Sequence, residues 1–106
     1  MPKYLVQASY TAEGTKGLLA EGGTGRREAV ETVLRSCGGT LDWMYFAFGE
    51  NDLYLVADMP DDVSMAATAL TVHATGAVQS KVVPLLSVED IDAATRKSVE
   101  FRAPGD

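Results

Sequence analysis

The stretch Phe48-Gly49-Glu50-Asn51-Asp52-Leu53-Tyr54-Leu55-Val56, FGENDLYLV, sets a polar island between two apolar runs. Gly, Asn and Asp tolerate positive φ angles and bond their side chains to nearby backbone, so the island reads as a hairpin turn. The runs it joins, Thr40 to Phe48 and Leu53 to Met59, are then antiparallel strands. Working outward, Pro60 closes the second strand. Asp61 or Asp62 caps a helix reaching Thr75, whose buried stripe is expected at Val63, Ala66, Ala67, Leu70 and Ala74. On the other side, Gly38-Gly39 stops a helix from Arg26 to Ser36, capped by Thr24, with Val30, Val33, Leu34 and Cys37 on one face.

Farther out, Lys3 to Tyr10 alternates Tyr4, Val6, Ala8 and Tyr10 with Lys3, Leu5, Gln7 and Ser9, the pattern of a strand with one wetter face. Thr11 to Gly25 holds five glycines, too costly for one continuous helix at about 1 kcal/mol each. A short helix from Glu13 to Ala20 and a flexible loop are expected there. A fourth strand runs from Ala77 to Leu86, with Pro84 marking an edge or a bulge. Ser87 and Asp90 have capping-box spacing and open a last helix reaching Val99. The order βαββαβ plus a helix is ferredoxin-like, an α+β fold with an antiparallel sheet and helices on one side. It makes one domain over residues 1–99, with a loose tail at 100–106.

A chain of 106 residues, 46% hydrophobic, buries a core without staples. The single cysteine, Cys37, excludes an intramolecular disulfide framework. Met1-Pro2-Lys3 leads straight into patterned sequence rather than a signal region, so a cytoplasmic location is expected. No apolar run approaches the roughly 20 residues needed to span a bilayer. A net charge of −6 opposes nucleic acid and anionic lipid as partners.

The central hairpin is apolar on both sides. Strict alternation puts Leu41, Trp43, Tyr45 and Ala47 on one face and Met44, Phe46 and Phe48 on the other. A solvated sheet face is not built this way, so two sheets are expected to pack face to face in a homodimer. Phe46, which shares parity with Asp42, is assigned to the open face.

Several motifs together resemble the GYD-domain family. They are Gly38-Gly39, Gly49-Glu50-Asn51-Asp52-Leu53, Ala57-Asp58-Met59-Pro60-Asp61-Asp62 and Gly76-Ala77-Val78. The resemblance implies a dimeric α/β barrel and assigns no activity. The chain departs from the family pattern at Asn51, where the family has tyrosine, and at Gln79, where a base is frequent. A weaker similarity links Gly49, Asp52, Gly76 and Val78 to the effector-binding domain of Lrp/AsnC-type regulators. There the hairpin loop helps bind small amino-acid effectors between subunits.

Candidate site residues follow from these readings. Gly49, Asn51 and Asp52 read first as a turn, with a ligand loop as the alternative, in which Asp52 is the fixed acceptor beside the strand. Gln7, Gln79 and Lys81 are polar anchors on strands, expected to point into an apolar cavity between the open sheet face and its covering helices or partner, the make-up of a small-ligand pocket. His73, the only histidine, is the candidate base of an enzymatic alternative, a cofactor-independent oxygenase or isomerase with Asp52 or Lys81 assisting. One histidine builds no metal site. Gly22-Gly23-Thr24-Gly25-Arg26-Arg27 lacks the lysine and spacing of a phosphate-binding loop, and no other cofactor motif is present. Cys37 at a helix C-terminus has its thiolate disfavoured by the helix dipole. The expected function is a small-molecule-binding or accessory protein, with a purely structural oligomer-forming protein as a further alternative.

Overall fold

The computed structural model describes residues 1–106. The elements are β1 (Lys3–Tyr10), α1 (Ala12–Ser36), β2 (Thr40–Phe46), β3 (Leu53–Asp58), α2 (Asp62–Ala74), β4 (Val78–Leu85) and α3 (Val88–Thr95). The four strands form one antiparallel sheet in the order β2-β3-β1-β4. This is the ferredoxin-like α+β arrangement expected from the sequence, and Pro84 lies on the edge strand β4. No helix is long and apolar enough to cross a membrane.

One face of the sheet carries the core. Tyr4 and Ala8 of β1 and Leu53, Leu55 and Ala57 of β3 are buried against Leu34 of α1 and Met65 of α2. The junction between α1 and β2 is close-packed as well. A Cβ on Gly39 would overlap Met59 Sδ, and Gly38 turns the chain at φ 83°. The Gly38-Gly39 pair therefore stops the helix and lets the Met59 side chain pass beneath it.

Three expectations are corrected. The first concerns the glycine-rich segment, which is helical from Ala12 onward and interrupted at Gly22 alone (φ 76°, ψ 174°). Thr11 caps it through its hydroxyl, which accepts the Gly14 N–H at 3.3 Å, and Thr24 lies inside the second arm instead of capping it. Gly17, Gly23 and Gly25 stay out of positive φ, so one residue makes the bend that a loop was expected to make.

The second correction is a β-bulge at Asp42. Leu41 pairs with Ala57 and Trp43 with Val56, leaving Asp42 as the extra residue. A bulge breaks strict alternation, and every side chain beyond it changes face relative to those before it. Leu41, Met44 and Phe46 therefore share the helix side, opposite Ala57, Leu55 and Leu53, while Trp43 and Tyr45 take the open face with Val56 and Tyr54. Phe46 is not an open-face residue. Asp42 meets the Lys3 ammonium, whose pKa is raised mainly by that hydrogen bond.

The third correction is the rotation of α2. Met65 and Thr68 are buried, while Val63 and Leu70 of the expected inner stripe are 79% and 70% exposed. The Thr68 hydroxyl donates to Ser64 O at 3.0 Å, so a polar side chain enters the core already satisfied. α2 carries apolar residues on two sides, Val63 and Leu70 outward and Met65, Ala69 and Val72 toward the chamber, so the hydrophobic spacing does not by itself choose the inner one.

Candidate functional site

The hairpin turn is strapped to the end of β1. Ala47 N–H donates to Asp52 O (2.8 Å), and Asp52 N–H donates to Ala8 O (2.9 Å). The Asp52 carboxylate accepts the Tyr10 N–H at 2.9 Å through Oδ2. Ser9 Oγ donates to Glu50 O (3.2 Å), and Asn51 Nδ2 donates to the Tyr54 hydroxyl (3.2 Å). Gly49 carries the left-handed conformation, φ 115°. Asp52 is thus fixed beside Tyr10, extending the β1 hydrogen-bond ladder where β3 begins.

Tyr10 stands between two hollows. The inner one, about 90 Å³, lies between the sheet and both helices, bounded by Val6, Val30, Leu55, Met65, Val72 and Val82 among others. Its few polar lining residues include Arg26, Thr68 and Ser80. The outer one, about 390 Å³, opens between the α1 bend and the hairpin, against Thr15, Leu18, Gly23, Phe46, Phe48 and Asp52. Tyr10 borders both. The inner chamber is smaller than the roughly 150 Å³ apolar cavity that accepts benzene, so it has room for only part of a small molecule; the two volumes together fall within the roughly 300–1,000 Å³ of small-molecule sites.

The sequence builds this cleft locally. A Cβ on Gly14 would stand 3.1 Å from Tyr10 Cδ1 and would overlap Ala77 O, so glycine there lets α1 settle over the tyrosine ring. The bend at Gly22 then carries the second arm of α1 on to present Arg26. Phe46 packs beside the bend, its ring 3.5 Å from where a Cβ on Gly23 would stand, an ordinary contact distance.

The Tyr10 hydroxyl is buried and has no hydrogen-bond partner. Burial pushes its pKa up; Arg26 pulls it back, and Glu21 and Asp52 push it up again. Arg26 Nη1 donates to Glu21 Oε1 at 3.2 Å, which neutralises the guanidinium at the cleft. A neutral phenol with an unused donor is therefore enclosed on a residue that borders the apolar chamber. An unsatisfied buried polar group of this kind costs free energy, and a ligand hydroxyl or carbonyl would satisfy it.

The candidate residues separate onto different surfaces. Asp52 lines the outer hollow, and Gly49 and Asn51 shape the turn above it. Gln7 and Lys81 face each other across β1 and β4 on the open side of the sheet, in line with Tyr54 and Tyr45, and Gln79 pairs with Ser9 one step on. These polar anchors thus share the open face of the sheet, where the sequence places them, and stand apart from the Tyr10 chamber. His73 lies outside the chamber lining and joins α2 to β4, its Nε2 2.6 Å from Ser80 Oγ and accepting the Ser80 N–H at 3.1 Å. Cys37 is half-buried beside the core. Sequence reasoning missed Tyr10, Arg26 and Ser80. The available signal was Tyr10 on the apolar parity of β1 next to a run of glycines, where a ring needs space.

The family profile of the GYD domain matches residues 4–95. No curated protein and no solved structure matches the chain. The profile match takes in the sheet, the hairpin, the Tyr10 cleft and every helix through α3, and the chain therefore belongs to the GYD-domain family.

Proposed function

We propose that the protein binds a small uncharged molecule, mostly apolar with one hydroxyl or carbonyl group, in the cleft at Tyr10. The observation that carries this reading is the buried, partnerless hydroxyl of Tyr10, a residue that borders both the apolar chamber and the outer hollow. The ligand's apolar end fills the chamber, its polar group bonds Tyr10, and the remainder lies in the outer hollow against Phe46 and Leu18. The Arg26–Glu21 pair is already neutral and Asp52 adds a negative charge, so an anion is disfavoured there. The protein acts as a binding or accessory protein in the cytoplasm, and its open sheet face pairs with a second copy. Support for that pairing is the exposed Trp43 and Tyr45 beside Leu5, Val56 and Val83 on the uncovered side of the sheet.

The enzymatic reading has one observation behind it, the short His73–Ser80 contact. The Nε2 lone pair also takes the Ser80 backbone N–H, so the pair works as a helix-to-strand clasp and competes poorly as a base. Binding is the better supported reading. Native mass spectrometry of protein purified from its host is expected to retain a small molecule. Tyr10→Phe should weaken binding about 2- to 12-fold, one hydrogen bond of roughly 0.5–1.5 kcal/mol. Ala69 of α2 also lines the chamber, and Ala69→Leu, which fills it, should abolish binding. Equal affinity in wild type and both variants would remove the ligand from this cleft.

A further inference from the structure

The chain exposes more surface than a folded domain of its size needs. Its accessible area is 7400 Å². A compact monomer of this mass exposes roughly 5,700 Å², leaving a surplus of roughly 1,700 Å². Its radius of gyration, 17.1 Å, exceeds the roughly 13 Å of a compact domain of this length. The C-terminal arm contributes to both. α3 has no substantial packing partner among the other elements, and Leu86, Val88, Ile91, Val99 and Phe101 are all exposed.

α3 is nonetheless a finished helix. Its capping box is complete, with Asp90 N–H donating to Ser87 Oγ and Ser87 N–H donating to Asp90 Oδ2, each at 3.0 Å. It carries Val88 and Ile91 three residues apart, one face without a cover. A second uncovered face of matching kind exists on α2, where Val63, Ala66, Ala67, Leu70 and Ala74 point outward. Large residues interspersed with alanines form a shallow seat for a helix.

We propose that the arm of residues 86–101 docks on a second copy of the chain, with α3 lying antiparallel in the outward seat of α2. Topology and charge decide against the arm's own α2. The chain reverses from α2 to β4, and α3 laid back on the same subunit would reverse again and run parallel to α2. Its start lies at the start of α2, where Asp62, Ser87 and Asp90 border one cleft. A parallel fit would set Glu89, Asp90 and Asp92 beside Asp61 and Asp62, acid against acid. An antiparallel fit from a second copy instead brings Arg96 and Lys97 to Asp61 and Asp62 at the N-terminus of α2.

Area supports the same occupant. Two chains each carrying a surplus of roughly 1,700 Å² have enough to build, over the arm contact and the open-face pairing together, an interface in the roughly 2,000–5,000 Å² class of obligate assemblies. The seat on α2 is on the helix side of the sheet, so this contact adds to the open-face pairing and does not compete with it.

Cross-linking tests the proposal on the full chain. Chains carrying Leu70→Cys and differently tagged chains carrying Ile91→Cys are co-expressed, oxidised and mapped by peptide mass. Both positions are exposed, so the core is untouched. The expected product is a disulfide between the two introduced thiols, joining one tag to the other. In the Ile91→Cys chain, reversing the arm charges with Arg96→Glu and Lys97→Glu should lower its yield severalfold. A chain carrying both substitutions that forms the bond within itself, or no bond in either arrangement, would overturn the proposal. An unchanged yield after charge reversal would overturn the antiparallel alignment.

Discussion

Gly14 and Gly17, neighbours one turn apart on α1, have opposite requirements. A methyl at Gly14 would drive into the Ala77 carbonyl and the Tyr10 ring, whereas nothing lies within 4 Å of a methyl at Gly17. Gly14→Ala is therefore expected to destabilise by roughly 1–3 kcal/mol, as overpacking does, and Gly17→Ala to stabilise by about 0.5–1 kcal/mol. Urea midpoints of the two variants check this; equal midpoints would mean α1 does not press on the entry to β4. At α2 the Asp61 carboxylate accepts the Ser64 N–H at 2.7 Å, which holds its pKa below the ordinary 3.8. The folded state binds that proton less tightly than the unfolded state. The cap's contribution is therefore fully present above pH 3.8 and is lost as pH falls through the lower folded value. Asp61→Asn keeps an acceptor without the titration, so its acid unfolding curve should be flatter than wild type below that pH.

Among the elements, β2 decides which surface meets solvent. The extra residue at Asp42 turns Trp43 and Tyr45 outward and Phe46 inward against the Gly23 region of α1. Phe46→Asp should lower stability by roughly 1–3 kcal/mol, because a carboxylate is placed against apolar groups, and should leave the assembly mass unchanged. Trp43→Asp should do the reverse, lowering the mass by light scattering while the unfolding midpoint of the separated chain holds. If the two results exchange, the open face is not the one that pairs. The same logic applies to α2, whose two apolar stripes divide between the chamber and the outside. Apolar residues on two sides of one helix signal contacts on both.

As a whole molecule, the chain is thinly buried for its length. Only 11 of its 106 residues are buried, and the core lies between one sheet face and the helices. The opposite face, the α2 seat and the C-terminal arm remain uncovered in one copy. Covering those three surfaces in an assembly would leave the ligand cleft untouched, which separates binding from assembly. The Tyr10 cleft is formed within one chain, so a variant that dissolves the assembly without touching the cleft, such as Trp43→Asp, is expected to keep its ligand affinity. Titration of the separated chain with the retained molecule measures this; loss of binding on dissociation would place a second copy's residues in the site.

The element order, the hairpin at Gly49 to Asp52, the Gly38-Gly39 stop and the Ser87–Asp90 cap were legible in the sequence because each depends on near neighbours. Turn φ angles, capping bonds and alternation are local, and local residues state them. The bulge at Asp42, the rotation of α2 and the Tyr10 cleft were not legible. Whether a strand skips one residue is settled by its partner's register, here the pairing of Leu41 with Ala57 and Trp43 with Val56. Which of two apolar stripes goes inside is settled by the sheet it meets. A hydroxyl left without a partner exists only once α1, α2 and the sheet have closed around it. The order of elements and the family motifs can be read along the chain; the faces and the cavity were set by packing, because both depend on groups distant in the chain arriving together.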